Sequence, residues 1–304
     1  MGEVALLFAG QGAQYPGMGK DFYEQNPAAR EVFTMLEQQR PGTMLQCFSG
    51  GKEELSLTLN TQPCLFAVDY AIARAVEQAG IPAAAAAGFS LGEIPALAFA
   101  GLLELEQAFA LVCHRAAVMQ QASEQHPGSM QAILKLPVEH IVELAALYSD
   151  VFPVNYNSPE QTAVAGNPEQ LQAFAADVKA AGGRAVPLAV SGAFHSPYMD
   201  SAAEALTEYV RTVNVQEGNC TVYANYTAEP YTAATVREYI ANQVNHPVQW
   251  VRTIRRMLAD GVDCFIEVGP GKTLSGLVKK ITADAQVYKV ENLEDLAALR
   301  QSIG

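Results

Sequence analysis

Residues 83–92 read Ala-Ala-Ala-Ala-Ala-Gly-Phe-Ser-Leu-Gly, and this stretch constrains the fold more than any other. Alanine is the best helix former, so propensity alone would run a helix through Ser90. The neighbours argue otherwise. A helical pattern of Leu65, Val68, Ile72, Val76 and Ala79 has just been closed by Gly80 and Pro82. The next connection must be short for a β-α-β crossover, so residues 84–87 are expected as a thin central strand against which helices pack closely. Gly88-Phe89-Ser90-Leu91-Gly92 then matches G-x-S-x-G, the sharp strand-to-helix turn of a nucleophile elbow. Backbones two residues either side of the serine come so close that only glycine fits. The serine is left at a helix N-terminus, where free N–H groups and the helix dipole favour a developing anion. A helix with an incidental serine is the competing reading, and the flanking pattern favours the nucleophile.

Residues 4–9 form an unbroken apolar run ended by Gly10, the mark of a buried parallel strand. Thr61 is expected to cap a helix that Pro63 opens, and residues 104–121 to form another. Between about 126 and 190 the texture changes. It reads as strand 129–136, helix 138–148, strands 151–156 and 161–166, helix 168–181 and strand 184–190. That β-α-β-β-α-β order is a ferredoxin-like unit. Helix 197–213, strand 221–226, helices 235–244 and 247–260, strand 264–268 and a last substantial helix near 274–281 follow. The expected fold is α/β: an α/β-hydrolase-like unit with a parallel central sheet over 1–126 and 192–304, carrying a ferredoxin-like unit at 127–191.

Composition narrows the partners. The net charge of −13, from 19 Lys and Arg against 32 Asp and Glu, argues against nucleic acid or an anionic membrane as the main partner. The cysteines at 47, 64, 113, 220 and 264 form no C-x-x-C pair, which fits reduced thiols and no metal site. The start has no basic run and is unlike a signal peptide, and Leu6 breaks the myristoylation pattern. The longest apolar stretch, residues 94–103, is too short to span a bilayer. A cytoplasmic protein is expected.

A serine nucleophile needs a base. His140 lies on a solvated helix pattern, His114 on an apolar one, and His126 and His246 each precede a proline in a connection. His195, in Ser191-Gly-Ala-Phe-His-Ser-Pro197, follows a strand and the junction of the two units, where α/β sites sit. It is the candidate base. No acid stands nearby in sequence to complete a triad, which leaves a backbone carbonyl to orient the ring. Arg115 interrupts the apolar helix 109–119; it is either a surface arginine or, if buried, a bidentate fork for a carboxylate ligand. Gly10-Gln11-Gly12 falls short of a dinucleotide fingerprint because Tyr15 stands where a third glycine is needed. Its backbone can still aim N–H groups at an oxyanion. Gly269-Pro-Gly-Lys-Thr273 lacks the earlier glycine of a P-loop, position 266 being Ile, so nucleotide binding is rejected there.

These motifs occur in one order. Gly10-Gln11-Gly12-Ala-Gln14, Gly88-Phe-Ser90-Leu91-Gly92-Glu93, Arg115, the 191–196 segment, Gln243-Val-Asn-His-Pro-Val-Gln-Trp250 and Glu267-Val-Gly-Pro-Gly271 together resemble the malonyl-CoA:acyl carrier protein transacylase family over essentially the whole chain. The resemblance implies that Ser90 attacks the thioester of malonyl-CoA with His195 as base, and that backbone N–H groups of Gln11 and Leu91 hold the oxyanion. It implies that Arg115 clamps the malonyl carboxylate and that the Gln243 carbonyl orients His195, with Asn225 beside it. The phosphopantetheine thiol of acyl carrier protein then takes the malonyl group in a ping-pong cycle with no permanent cofactor. Leu91 and Phe194 fit the malonyl-preferring form.

Two positions depart from the pattern. Phe89 stands where the family usually has His, and Pro95 falls early in the helix after the elbow, which predicts a distorted first turn. Acyl carrier proteins are acidic, as this chain is, so docking needs a local basic patch. Arg252, Arg255 and Arg256 share a helix face, and Lys272, Lys279 and Lys280 form a second candidate. The acceptor belongs to fatty-acid or polyketide-type synthesis. The rival functions are a serine esterase or thioesterase of α/β-hydrolase type, against which Arg115 speaks, and a non-catalytic carrier-protein scaffold, which Phe89 leaves open.

Overall fold

The computed structural model describes residues 2–190 and 192–303; Ser191, in the junction before His195, lies outside them. The strands are β1 (Glu3–Phe8), β2 (Ala85–Gly88), β3 (Ser129–Leu134), β4 (Val151–Ser158), β5 (Gln161–Gly166), β6 (Arg184–Pro187), β7 (Thr221–Tyr223), β8 (Val262–Val268) and β9 (Gln286–Val290). They form two sheets: an all-parallel one of order β7-β2-β1-β8-β9 and an antiparallel one of order β4-β5-β3-β6.

The alanine run is a strand. Ala86 joins Leu6 and Phe8 in the core on one face, and Ala85 and Ala87 join Leu7 and Phe265 on the other. A strand covered on both faces has no polar side, and burial between helices outweighs alanine's preference for helix. The elbow glycines are required by contact. A Cβ on Gly88 would lie 1.9 Å from the Gly92 carbonyl carbon, and one on Gly92 would lie 2.4 Å from Phe8 O. Both obstacles are backbone and cannot swing aside.

The antiparallel sheet takes the Val138–Ala145 and Pro168–Ala180 helices on one face, giving the ferredoxin-like β-α-β-β-α-β order. It has its own core around Ile133, Leu171 and Phe174. The sheet is stitched to the larger unit along β4. Tyr156 N–H donates to Val248 O at 2.9 Å, and Val248 N–H donates to Val154 O at 2.8 Å.

Several boundaries differ from the pattern reading. Pro63 lies inside the Thr58–Gln78 helix instead of opening it. The Leu57 carbonyl already accepts from Asn60 and Thr61 N–H, and the Leu59 carbonyl that Pro63 cannot reach takes a 3.5 Å bond from Arg40 Nη2. The 274–281 helix is not the last, since edge strand β9 and the Leu293–Ile303 helix follow it. Half-exposed on the sheet's rim, β9 has neither an apolar run nor a clean alternation to announce it. Four short helices between residues 20 and 56 were also unmarked. Strand β7 stops at Tyr223, short of the expected 226, because Asn225 turns away to bind the elbow. A 3₁₀ turn, Ser90–Gly92, precedes the Glu93–Phe99 helix, the distorted start that Pro95 suggests. Among the described residues no helix is long and apolar enough to cross a membrane.

Candidate active site

All strands of the large sheet run the same way, so their carboxyl ends share one edge. From that edge β1 leads to Gly10-Gln11-Gly12, β2 to Ser90, β7 to Asn225 and β8 to Gly269. The tertiary fold thereby gathers residues scattered over the whole chain.

Ser90 has φ 54° and His195 φ 62°, a left-handed backbone that non-glycine residues seldom adopt. Each is held there by specific bonds. Asn225 Oδ1 accepts from the Ser90 N–H at 2.7 Å while its Nδ2 donates to Gly88 O at 2.6 Å, pinning the turn on both sides. The His195 N–H donates to Val244 O at 2.8 Å.

Ser90 Oγ lies 2.8 Å from His195 Nε2, and His195 Nδ1 lies 2.9 Å from the Gln243 carbonyl oxygen. A carbonyl can only accept, so Nδ1 carries the proton and Nε2 turns its lone pair to the serine hydroxyl. Burial, reinforced by the Arg115 charge, pushes the His195 pKa down to about 4. The imidazole is therefore neutral at pH 7 and free to accept a proton.

Arg115 is 1% exposed, so the surface reading fails. Its Nη1 donates to Gln62 Oε1 and its Nη2 to Gln243 Oε1, both at 2.7 Å, and Nη2 reaches Ser90 Oγ at 3.2 Å. Among the described residues Nε has no partner. Burial lowers the Arg115 pKa to about 10, which still leaves it charged at neutral pH. A buried guanidinium held by two neutral amides, with an N–H to spare, is built to receive an anion.

Gln62, Glu93 and Tyr231 of this network escaped the sequence reading. Gln62 had no signal beyond its place in Thr-Gln-Pro. Glu93 was noted only as part of a motif, although an acid heading the apolar residues 94–99 must find buried donors. It does: Oε2 accepts from Gln243 Nε2 at 2.6 Å, and Oε1 accepts from the Tyr231 hydroxyl and from Asn225 N–H at 3.3 Å. Burial raises the Glu93 pKa to about 7, with the Tyr231 and Gln243 bonds pulling the other way.

A cavity of about 300 Å³ opens over these residues. Gln11, Ser90, Arg115, Phe194 and His195 line it from the larger unit, and Asn155 and Asn157 from β4. The Gln11 side chain leans away, its Nε2 donating to Thr58 Oγ1 at 3.4 Å. The Leu91 side chain is buried in the core, which leaves its backbone in the turn directly after Ser90. Phe89 lines the same cavity and packs edge-on against Trp250, with ring centroids 5.4 Å apart. Of the five histidines only His195 lines this cavity. His114 stacks on Tyr209 at 4.2 Å, and His246 Nδ1 lies 2.8 Å from Asn242 O.

The two basic clusters differ. Arg256 is engaged by Glu229 and Asp260, which leaves Arg252 and Arg255 exposed on the Trp250–Ala259 helix. Lys272, Lys279 and Lys280 are all exposed, and two of them adjoin residues that line the cavity. Lys272 adjoins Thr273, a lining residue, and Lys280 Nζ donates at 3.1 Å to Gln161 Oε1, another. Among the described residues no group of three or more His, Cys, Asp or Glu side chains is placed to hold a metal.

Comparison with known proteins identifies the family. Residues 5–296 match the family model of the acyl transferase domain. The chain is 35% identical over 310 residues to the malonyl CoA-acyl carrier protein transacylase of Bacillus subtilis (strain 168), covering 100% of this chain and 98% of that protein. Among solved structures, MCAT from Streptococcus pneumoniae matches with a TM-score of 0.94 at 37% identity, over 99% of this chain and 100% of that one. A malonyl-transacylase in complex with a type II PKS acyl-carrier protein matches with a TM-score of 0.95 at 32% identity, over 99% of each chain. The chain belongs to the acyl transferase family, among the malonyl-CoA:acyl carrier protein transacylases.

Proposed function

We propose that this chain moves a malonyl group from malonyl-CoA to the phosphopantetheine thiol of an acyl carrier protein, through an ester on Ser90. The observation that carries the reading is Arg115, a buried guanidinium whose Nε has no partner among the described residues and whose Nη2 lies 3.2 Å from Ser90 Oγ. A simple esterase has no use for such a group. An acyl chain ending in a carboxylate does.

In the first half-reaction His195 Nε2 takes the Ser90 Oγ proton as Oγ bonds to the thioester carbonyl carbon. The carbonyl oxygen becomes an oxyanion, received by the backbone N–H groups of Gln11 and Leu91; each such donor contributes on the order of 10²–10³ in rate. The carbon–sulfur bond then breaks, and the CoA sulfur leaves with the proton from Nε2. In the second half Nε2 takes the proton of the pantetheine thiol, whose sulfur attacks the ester, and returns it to Ser90 Oγ. Arg115 holds the malonyl carboxylate throughout. Asn225 and the Gln243 carbonyl keep elbow and imidazole aligned, while Phe89 and Phe194 wall the acyl site. Malonyl-CoA is a substrate here, and each step uses the chain's own groups, so no permanent cofactor takes part.

The acidic carrier docks, in this reading, at Lys272, Lys279 and Lys280, a cluster that reaches the cavity rim through Lys272 and Lys280, in preference to Arg252 and Arg255. The acceptor belongs to fatty-acid synthesis or, as in the relative solved with a type II PKS carrier, to a polyketide-type system. A cavity lined from both sheets suits the division at 127 and 191 into a catalytic and a ferredoxin-like unit. The compartment is the cytoplasm, where the five free cysteines stay reduced.

Intact-mass analysis with malonyl-, methylmalonyl- and acetyl-CoA, followed by holo carrier protein, tests the proposal. A malonyl adduct that maps to Ser90 and moves to the carrier is expected. An adduct that persists in Ser90→Ala, or that is released only to water, sinks it. Charge reversal at Lys272 and Lys280 should raise KM for the carrier more than KM for malonyl-CoA, with reversal at Arg252 and Arg255 as the control.

A further inference from the structure

Gln243 serves the site twice. Its backbone oxygen orients His195, and its side chain holds Arg115. The two ends of its amide have nearly the same shape, so the neighbours decide which way it points. Arg115 can only donate and therefore needs Oε1. Nε2 is left to donate to Ser90 O and to Glu93 Oε2, both at 2.6 Å. The other oxygen of Glu93 accepts from Tyr231 and from the Asn225 N–H, and the Asn225 side chain clamps the elbow. Glu93 thus touches both the residue that fixes the nucleophile and the residue that fixes base and arginine. It stands outside the set of residues that line the cavity.

The direct partners of the buried guanidinium are neutral, and Glu93 lies one amide beyond them. We propose that the Glu93 carboxylate is the through-amide counter-ion of Arg115. It holds the guanidinium in register in the empty site while leaving donors of the fork for the ligand. Glu93 is then a positioning residue that sets the preference for an acyl group ending in a carboxylate. A direct Glu–Arg pair would occupy the fork and compete with the substrate. This inference rests on the malonyl reading above.

The charged and titratable groups around Glu93 are Arg115 on the Leu105–Gln125 helix, Tyr231 beyond β7, Tyr239 on the Val236–Gln243 helix behind that phenol, and His195 beyond Gln243. With its pKa raised by burial to about 7, the Glu93 carboxylate is lost as pH falls through neutrality, and the malonyl preference should weaken with it.

The test is Glu93→Gln in the full chain, with malonyl- and acetyl-CoA loading followed by intact mass. The ratio of malonyl to acetyl kcat/KM is expected to fall on the order of tenfold, as for loss of one charge-assisted hydrogen bond, with KM for malonyl-CoA rising. Equal losses for both acyl groups, or an unchanged ratio, overturn the inference. A wild-type chain with no malonyl preference would instead overturn the malonyl reading, and this inference with it. Should Glu93→Gln fail to fold, Tyr231→Phe decides. Without the phenol's bond Glu93 takes up its proton at higher pH, so the malonyl preference should fade at higher pH than in the wild type. A pH profile of the ratio that coincides with the wild type overturns the proposal.

Discussion

Arg115 and Asp69 are both buried ionisable side chains next to the active-site loops, and the fold handles them in opposite ways. Arg115 is surrounded by oriented oxygens from Gln62 and Gln243, and it keeps its charge. Asp69 packs under the Gly269 turn with no hydrogen-bonded partner of good geometry for either carboxyl oxygen among the described residues. Burial, with the Glu267 carboxylate adding to it, drives its pKa well above the ordinary carboxylate range, and only the Ala9 backbone draws it down. Burial thus favours the protonated form of Asp69. A buried charge survives where polar atoms already point at it, and is discharged where they do not. Only the first kind can meet a ligand's charge, which is why the proposed acyl site centres on Arg115.

The hardest blow to this comparison is Arg115→Ala. Malonyl loading should fall by about 10²-fold or more, because Gln62 and Gln243 lose their partner and the substrate carboxylate loses its own. Acetyl loading or hydrolysis should gain ground relative to malonyl transfer. Measured by intact mass, an Arg115→Ala chain with an unchanged malonyl preference would break the assignment.

The same variant has a finer signature. After burial, the Arg115 charge is the main pressure holding the His195 pKa near 4. In the wild type the acid limb of acetyl loading should therefore fall as pH drops through about 4 and stay flat toward pH 8. Without the guanidinium the imidazole accepts its proton more readily, so the limb for residual acetyl loading should move to higher pH. A limb that stays in place would mean that the arginine's field does not reach the base.

Asp69→Asn gives the smallest effect, in stability and not in loading. A carboxyl whose folded pKa is raised binds a proton in the native state that the unfolded chain has already released. Wild-type stability is thus lost as pH rises from the unfolded pKa of about 3.9 toward the folded value. Asparagine has no such dependence. Thermal melts from pH 4 to 8 should show Asp69→Asn gaining on the wild type, by at most about 1.4 kcal/mol per pH unit. Parallel curves would mean that Asp69 is ionised in the fold and that the comparison is misdrawn.

Much of the site could be read from the chain because its parts follow local rules. The elbow glycines are demanded by backbone contacts only a few residues apart in sequence or across paired strands, and the order of the 129–187 segment shows its β-α-β-β-α-β plan by alternation and spacing. Ser90 and Arg115 stood out because each breaks the pattern around it, and His195 because it follows a strand at the junction of the two units. Gln62 and Tyr231 did not stand out, since nothing near them in sequence marks them. Their roles lie in hydrogen bonds to Arg115, 53 residues away, and to Glu93, 138 residues away. Pro63 misled for a related reason. A proline signals a helix start only if the chain has no earlier turn to extend, and here the Leu57 carbonyl had already begun one.

What the sequence by itself determined is where a strand must stop and where the candidate nucleophile stands. The steric rule at Gly88 acts over a handful of residues, the one at Gly92 reaches only the paired strand, and together they leave few options. What only the tertiary structure decided is the state of the groups around that nucleophile. The neutral imidazole, the charged arginine, the raised pKa of Asp69 and the direction of the Gln243 amide depend on burial and on partners from distant segments. Those quantities exist only once the segments are packed together, because desolvation and hydrogen-bond geometry are properties of the assembled site and not of any residue within it.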